Sequence, residues 1–203
     1  MITLYHAPNT RSSRVLWLLE EMGVPYETIP CGVRDQPAEM RAHNPSRTVP
    51  VMTDGDLVLT ESVTMLEYIA ATYGPTPLAM TPDEAGYWDY RQLLLFGEAT
   101  LSAPLNAIVG TTFFGPDDQK DNWTLGLVRL SFRKRLGVVT RRLEAGEYVA
   151  GGRFTIADIS VVYAIHLALR AEMFGLKDLI TPELAAYRDR LAARPAFQRA
   201  FSG

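Results

Sequence analysis

Three short stretches of this chain carry residues that could act on one small ligand. The first is Val49-Pro50, which opens the apolar run Val51-Met52-Thr53. A proline at the start of a strand cannot donate to a ladder, so it belongs to an edge, a turn or a cis bond. If the bond is cis, the backbone N–H and C=O of Val49 turn outward, and an extended peptide can pair with them by β-like hydrogen bonds. The second is Glu61-Ser62, just ahead of an apolar-periodic segment, where a helix N-terminus offers unpaired N–H groups to a carboxylate. The third is the set of hydroxyls Thr10, Ser12 and Ser13 at the head of the first helical segment, any of which can cap it. A ligand with a peptide bond, an ammonium and a carboxylate satisfies the first two stretches at once. A loop, a hairpin and a helix cap account for each feature taken singly.

The elements that must hold these residues can be read in order. Ile2 to Tyr5 has strand character and ends at Ala7-Pro8-Asn9. From Ser12 to Met22, Val15, Leu18, Leu19 and Met22 recur on one helix face, and Gly23-Val24-Pro25 stops it. Tyr26 to Ile29 reads as a second strand, giving a βαβ unit of the usual length. A short, weakly patterned helix is expected from Gln36 to Ala42. Val51-Met52-Thr53 and Leu57-Val58-Leu59 flank Asp54-Gly55, the signal of a tight antiparallel hairpin. A helix follows from Ser62 to Tyr73, ending at Gly74-Pro75. The order β-α-β-α-β-β-α makes a compact mixed-sheet domain over residues 1–75.

Residues 76–82 belong to the proline-rich stretch GPTPLAMTP and read as an interdomain linker. Beyond it, over residues 83–203, the pattern is helical without strand signals. Helices are expected from Glu84 to Ala107 and from Trp123 to Leu143, separated by a break at Thr111 to Asp118. Phe154-Thr155-Ile156-Ala157-Asp158-Ile159 is the clearest helix start, with Thr155 as N-cap, Asp158 closing a capping box and Phe154 set to staple onto Ile159. The helix after it is apolar on nearly all sides, so it is expected to be central and buried, with His166 a core residue. A last clear helix runs from Leu184 to Arg194, before Pro195. The fold class is α+β, a small mixed-sheet domain followed by an all-α bundle.

Composition narrows the function classes. The chain has 203 residues, is 47% hydrophobic and carries a net charge of −3, enough for well-filled cores and with no basic footprint for nucleic acid. No stretch reaches the roughly 18 apolar residues of a membrane span, and MITLYHAP lacks the pattern of a signal peptide. The single Cys31 excludes an internal disulfide or a CxxC pair. His6, His43 and His166 are too far apart for metal-ligand spacing, so no metal is expected. A cytoplasmic location is the default.

The combination of LYHAPNTRSSRVLWLLEEMGVPYE, NPSRTVPVM with TES, GRFTIADIS, and PELAAYRDRLAARPAFQRAF resembles the cytosolic glutathione S-transferases over essentially the whole chain. The resemblance implies a thioredoxin-like N-terminal domain, an α-helical C-terminal domain, glutathione as cosubstrate and a homodimer. It implies that Val49 pairs its backbone with the cysteinyl moiety, with Pro50 cis. Glu61 then meets the γ-glutamyl ammonium, and Ser62 holds the carboxylate with helix N–H groups. The family's glycine-lysine before valine-proline is here Arg47-Thr48, which leaves Arg47 to hold the glycyl carboxylate.

The chemistry such an enzyme needs is thiol ionisation, because a thiol of pKa about 8.5 is mostly protonated at neutral pH. Lowering it by about 2 units takes about 2.7 kcal/mol of preferential thiolate stabilisation. A hydroxyl donor at a helix N-terminus can supply this through a charge-assisted hydrogen bond and helix-end polarity. In serine-type family members the catalytic serine lies four residues before an arginine. Counting back from Arg14 gives Thr10, with Ser12 the alternative, Asn9 a weaker donor and Tyr5 structural. Cys31 lies outside the nucleophile position. Phe96, Leu101, Leu105, Phe113 and Phe114 are expected either as apolar walls of an electrophile pocket or as core. The resemblance also leaves Glu98 to reach a partner subunit's glutathione.

The function implied is conjugation or reduction of small hydrophobic electrophiles by glutathione. The alternatives are a non-catalytic binding or stress protein on the same scaffold, and a glutathione-dependent isomerase or peroxidase.

Overall fold

The computed structural model describes residues 1–170 and 176–202. The chain divides into two compact units, Met1–Ala79 joined by the C-terminal segment from Ala192, and Met80–Leu191.

The first unit is built on a four-stranded sheet. Its strands are β1 (Ile2–His6), β2 (Tyr26–Pro30), β3 (Val51–Asp54) and β4 (Leu57–Leu59), in the order β2-β1-β3-β4. β1 runs parallel to β2 and antiparallel to β3, with Tyr5 opposite Val51. The crossover between β1 and β2 is α1 (Ser12–Met22), and α2 (Ala38–His43) and α3 (Ser62–Thr72) follow. This is the expected thioredoxin-like arrangement. Ile2, Leu4, Val15, Leu18, Leu19, Val51, Leu66 and Ile69 form its dry interior, each fully buried. α1 ends where Gly23 takes φ +63°, a conformation glycine adopts without penalty. The hairpin turn falls at Asp54-Gly55 as the dipeptide predicts, with Gly55 at φ +58°.

A helix beyond the expected elements, α9 (Pro195–Phe201), belongs to this unit. Pro195 stops the preceding helix and also starts a new one, since a proline at the first helical position sacrifices no hydrogen bond. The buried Phe197 ring meets Trp17 edge-on at 4.9 Å and stacks on Phe201 at 4.2 Å. Arg194 grips Glu21 with two bonds of 2.6 and 2.7 Å, and Arg199 reaches Glu20 at 2.5 Å. These contacts tie α9 to α1.

The second unit is helical throughout its described residues, as the fold class requires. Its helices are α4 (Tyr87–Leu95), α5 (Ala103–Phe114), α6 (Trp123–Glu144), α7 (Ile156–Arg170) and α8 (Pro182–Ala192), the last of which reaches one residue past the unit's end. α4 and α5 are joined by a π-helical stretch, Phe96–Ser102, so the chain is helical without interruption from Tyr87 to Phe114. The break expected from Thr111 arrives only at Gly115-Pro116, because nothing in Thr111-Thr112-Phe113-Phe114 removes a backbone donor. By length and hydropathy Tyr87–Phe114 could cross a bilayer, contrary to the sequence reading. Here its apolar side packs into the unit's own core, with Leu93, Leu94, Leu101, Leu105 and Ile108 buried.

The π-helical stretch packs closely on α7. Ser160 on α7 donates to Leu94 O at 2.8 Å, and Ser102 donates to Gly97 O at 2.7 Å. A Cβ at Gly97 would lie 2.4 Å from Ser160 Oγ and 2.6 Å from the Ser160 backbone carbon, so only glycine allows this approach. Gly97→Ala therefore lowers stability by about 1–3 kcal/mol through overpacking, measurable as a shift of the urea midpoint without a change in slope.

At the head of α7, Thr155 Oγ1 accepts from Ala157 N at 3.3 Å and Asp158 Oδ2 accepts from Thr155 N at 2.8 Å, the reciprocal pair of the predicted capping box. α7 is buried along most of its length, as expected of a central helix. His166 is half-buried, and its pKa is pushed down to about 4 by burial and by Arg188 and Arg170, which leaves it neutral.

Candidate functional site

The register of the sheet gathers the chemistry at one end of the first unit. With Tyr5 paired to Val51, the turn at Val49-Pro50 extends beside the turn that follows β1. The Val49-Pro50 bond is cis, one of the alternatives the sequence left open and the one the family resemblance implies. Pro50 is buried and Val49 half-buried. Among the described residues the Val49 backbone N–H and C=O make no hydrogen bond. Partly buried backbone groups are almost always paired, so an unpaired N–H and C=O on one residue is the signature of an edge awaiting a partner.

The loop ahead of Val49 is held by Asn44, which is 3% exposed. Its Nδ2 donates to Thr48 O at 2.9 Å and to Thr48 Oγ1 at 3.0 Å, and its Oδ1 accepts from Ser46 Oγ at 2.6 Å. The buried Gln36 side chain donates to Arg47 O at 2.7 Å. Arg47 itself is exposed and has φ +55°, a left-handed turn two residues ahead of the cis bond. Thr48 is exposed too. Neither Asn44 nor Gln36 was singled out from sequence, since polar residues in a loop carry no signal until their partners are known.

The three hydroxyls of the first helix have unequal situations. The residue in the cap position is Arg11, whose side chain makes no cap bond, and the hydroxyl that meets the first helical N–H, that of Ser12, belongs to Thr10. Ser12 and Ser13 are fully buried, and Thr10 is half-exposed. Ser13 Oγ accepts from Asn9 N at 3.1 Å, and Asn9 sits at φ +62°. Ser12 Oγ lies 2.8 Å from His6 Nδ1, 2.9 Å from Ala7 O and 2.9 Å from Thr10 Oγ1, and it accepts from Ala7 N at 3.1 Å. Thr10 Oγ1 donates to Ala7 O at 2.7 Å and accepts from Ser12 N at 3.3 Å. Burial lowers the His6 pKa, so the ring is neutral and carries one proton on either nitrogen. In the sequence, His6 carries no signal of its own beyond being too far from His43 and His166 for metal-ligand spacing.

At the start of α3 the cap residue Glu61 is exposed and offers no side-chain bond to the first turn, whose N–H groups stay available. Ser62 is 2% exposed. Its Oγ accepts from Arg14 Nε at 3.1 Å and also from Arg14 Nη2. Arg14 is fully buried on α1. The sequence reading used Arg14 only to count back to Thr10. A charged residue beside Val15 on the buried face of a helix was the signal that could have marked it.

The remaining sequence candidates lie elsewhere. Tyr5 is buried against Met40 and Val51, its phenol pushed up by burial and by the Glu39 carboxylate, a structural position. Cys31 joins the same apolar cluster, and burial raises its thiol pKa, the opposite of what a nucleophile needs. In the second unit Leu101 and Leu105 are fully buried core, whereas Phe113 and Phe114 are each 56% exposed. Glu98 lies in the π-helical stretch.

Comparison with known proteins places this arrangement. Residues 4–77 match the glutathione S-transferase N-terminal domain and residues 105–199 the glutathione S-transferase C-terminal domain. Glutathione S-transferase 4 of Zea mays is 32% identical, over 91% of this chain and 84% of its own length. A probable maleylacetoacetate isomerase of Vibrio cholerae is 30% identical, over 80% of this chain and 75% of its own. A crystal structure of a glutathione transferase family member from Pseudomonas fluorescens, with two glutathione bound, superposes with a TM-score of 0.85 at 27% identity, over 98% of this chain and 92% of that one. The chain belongs to the glutathione S-transferase family. It is an enzyme, a glutathione transferase.

Proposed function

We propose that the first unit binds glutathione as cosubstrate and that Thr10 stabilises its thiolate for attack on small hydrophobic electrophiles. The observation that carries this reading is the unpaired backbone of Val49 beside the cis bond, in the same unit as the Arg14-backed Ser62 hydroxyl. The cysteinyl residue of glutathione pairs its N–H and C=O with those of Val49, as one rung of an added strand. Its γ-glutamyl carboxylate takes the Ser62 hydroxyl and the open N–H groups of α3, and its ammonium meets Glu61. Arg47, in its exposed left-handed turn, is the cation for the glycyl carboxylate.

In this pose the thiol faces the turn after β1. Thr10 has one hydroxyl proton, given to Ala7 O when no ligand is present. When that proton turns to the thiolate, the Ser12 hydroxyl is near enough to take over Ala7 O, at 2.9 Å. Ser12 thus supports Thr10 from behind, being too buried to meet the sulfur itself. The thiol proton leaves to solvent, and the thiolate forms the new sulfur–carbon bond as the electrophile releases its leaving group. The enzyme acts as a cytoplasmic homodimer, with residues 76–82 linking domains 1–75 and 83–203.

Retention on immobilised glutathione, with an absorbance titration of the bound thiol, tests the reading. Binding with the thiol pKa lowered by about 2 units is expected. No retention, or a bound thiol that titrates as in free solution, defeats it. Glu61→Gln should raise the KM for glutathione about tenfold, through loss of one charge-assisted contact, with kcat changed little.

The Vibrio cholerae relative supports a second reading, in which the thiolate adds reversibly to an unsaturated diacid and is expelled after rotation, with no net conjugation. Assay of cis–trans isomerisation beside conjugation of an aromatic halide separates the two.

A further inference from the structure

The glutathione reading uses the Ser62 hydroxyl but not the fully buried charge that backs it. Arg14 is in the first turns of α1, yet its guanidinium reaches across to the head of α3 and gives two hydrogen bonds to the same atom, Ser62 Oγ. A hydroxyl oxygen has two lone pairs and one proton. With both lone pairs taken by Arg14, the only thing Ser62 can do for anything else is donate. An unassisted serine hydroxyl at a helix start can rotate between donor and acceptor roles. Here the guanidinium removes the acceptor role and leaves a donor whose oxygen is polarised by a full positive charge.

Burial sets how much this matters. A guanidinium cannot lose its proton, and its charge is screened far less inside a protein than at the surface. Ser62 is itself 2% exposed, so nearly nothing but the bound ligand competes for its proton. The α3 N-terminus adds its partial positive charge in the same place, and the cap residue Glu61 makes no side-chain bond to its N–H groups. Cation, oriented hydroxyl and helix end together favour one ligand group, a carboxylate.

We propose that Arg14 is a positioning residue for cosubstrate recognition: acting through Ser62, it fixes that hydroxyl as a donor and supplies the buried positive charge that makes this end of the site select an α-carboxylate. The proposal rests on the glutathione reading and deepens it. It assigns the discrimination between a γ-glutamyl group and the same chain lacking its carboxylate to a residue that never touches the ligand.

Two ligands separate the proposal from a structural role for Arg14. Calorimetric affinities are measured for glutathione and for 4-aminobutyryl-cysteinyl-glycine, which keeps the ammonium, thiol and glycyl end but has no α-carboxylate. The wild-type enzyme should prefer glutathione clearly. Arg14→Gln should weaken glutathione binding about tenfold and change analogue binding less than about threefold, so the preference collapses. Arg14→Lys, which keeps the charge without the paired donors, should restore part of it. Ser62→Ala keeps Arg14 and the helix end, and it guards against a poorly folded Arg14 variant. It should lower the preference for glutathione over the analogue about as far as Arg14→Gln does.

Equal losses for both ligands in Arg14→Gln would show that Arg14 only holds the fold, and an unchanged preference in Ser62→Ala would overturn the proposal by itself. A wild-type enzyme that binds neither ligand refutes the glutathione reading. One that binds both equally leaves glutathione binding intact and refutes the role of Arg14.

Discussion

Thr10→Val lowers turnover at neutral pH about twentyfold while glutathione affinity changes less than about threefold, the result expected if one hydroxyl supplies most of a 2-unit pKa shift. Valine keeps the branched shape and removes only the hydroxyl, so the cysteinyl backbone still pairs at Val49 and the loss falls on ionisation. A charge-assisted hydrogen bond contributes roughly 1.5–3 kcal/mol, which is the size required. The sign in pH follows from the proposed role: if Thr10 stabilises the thiolate, removing it moves the bound thiol titration to higher pH, and the rate–pH profile shifts alkaline with it. Turnover of the variant then recovers as pH rises past the free-thiol value. Thr10→Ser should behave nearly as wild type. Ser12→Ala should cost less than Thr10→Val, since Ser12 is fully buried and in the proposed arrangement supports Thr10 from behind. If Ser12→Ala proves the more damaging, the donor has been assigned to the wrong residue.

The largest expected loss of stability is from Asp158→Ala. Asp158 is fully buried, and its carboxylate accepts from Thr155 N at 2.8 Å, Thr155 Oγ1 at 3.2 Å, Val149 N at 3.0 Å and Tyr187 Oη at 2.7 Å. These bonds join the start of α7 to the segment before it and to α8. Burial pushes the carboxyl pKa up to about 6 against the pull of those donors, so it is ionised at neutral pH. Alanine leaves the donors buried with no acceptor, a loss of roughly 3–5 kcal/mol. For a chain of this size that lowers Tm by on the order of 10 °C, readable by calorimetry. Asp158→Asn keeps one acceptor oxygen and turns an amide toward the donors, and it should fall between. A variant as stable as the wild type would mean that water satisfies these groups and that the box is not what anchors α7.

The strands, the hairpin and most helices of the first unit were legible because each has its own local cause. Asp54-Gly55 dictates a tight turn, and Gly23 ends α1 where φ must be positive. The periodicity of Val15, Leu18 and Leu19 defines one buried face. The capping box of α7 was legible for the same reason, since its partners are three residues apart. The misreadings came where distant packing overrides local pattern. Within the π-helical stretch Gly97 lies against Ser160, 63 positions apart in the chain, and no window around Gly97 contains that fact. α9 was passed over because Pro195 reads as a stop, while its anchors Trp17 and Glu21 lie near the other end of the chain.

The same division runs through the site. By residue type and order, the sequence determined the backbone rung at Val49-Pro50, the acidic and hydroxyl groups at Glu61-Ser62 and the hydroxyls near Arg14, since each is a property of one or two adjacent residues. Only the tertiary structure decided what each can do. It buried Ser12 and left Thr10 half-exposed, set His6 against Ser12, gave Arg47 its left-handed turn and brought Arg14 onto Ser62. The physical reason is that a hydrogen bond depends on which lone pairs and protons are already taken. That count is settled between elements far apart in sequence, here between α1 and α3, once they pack on one sheet.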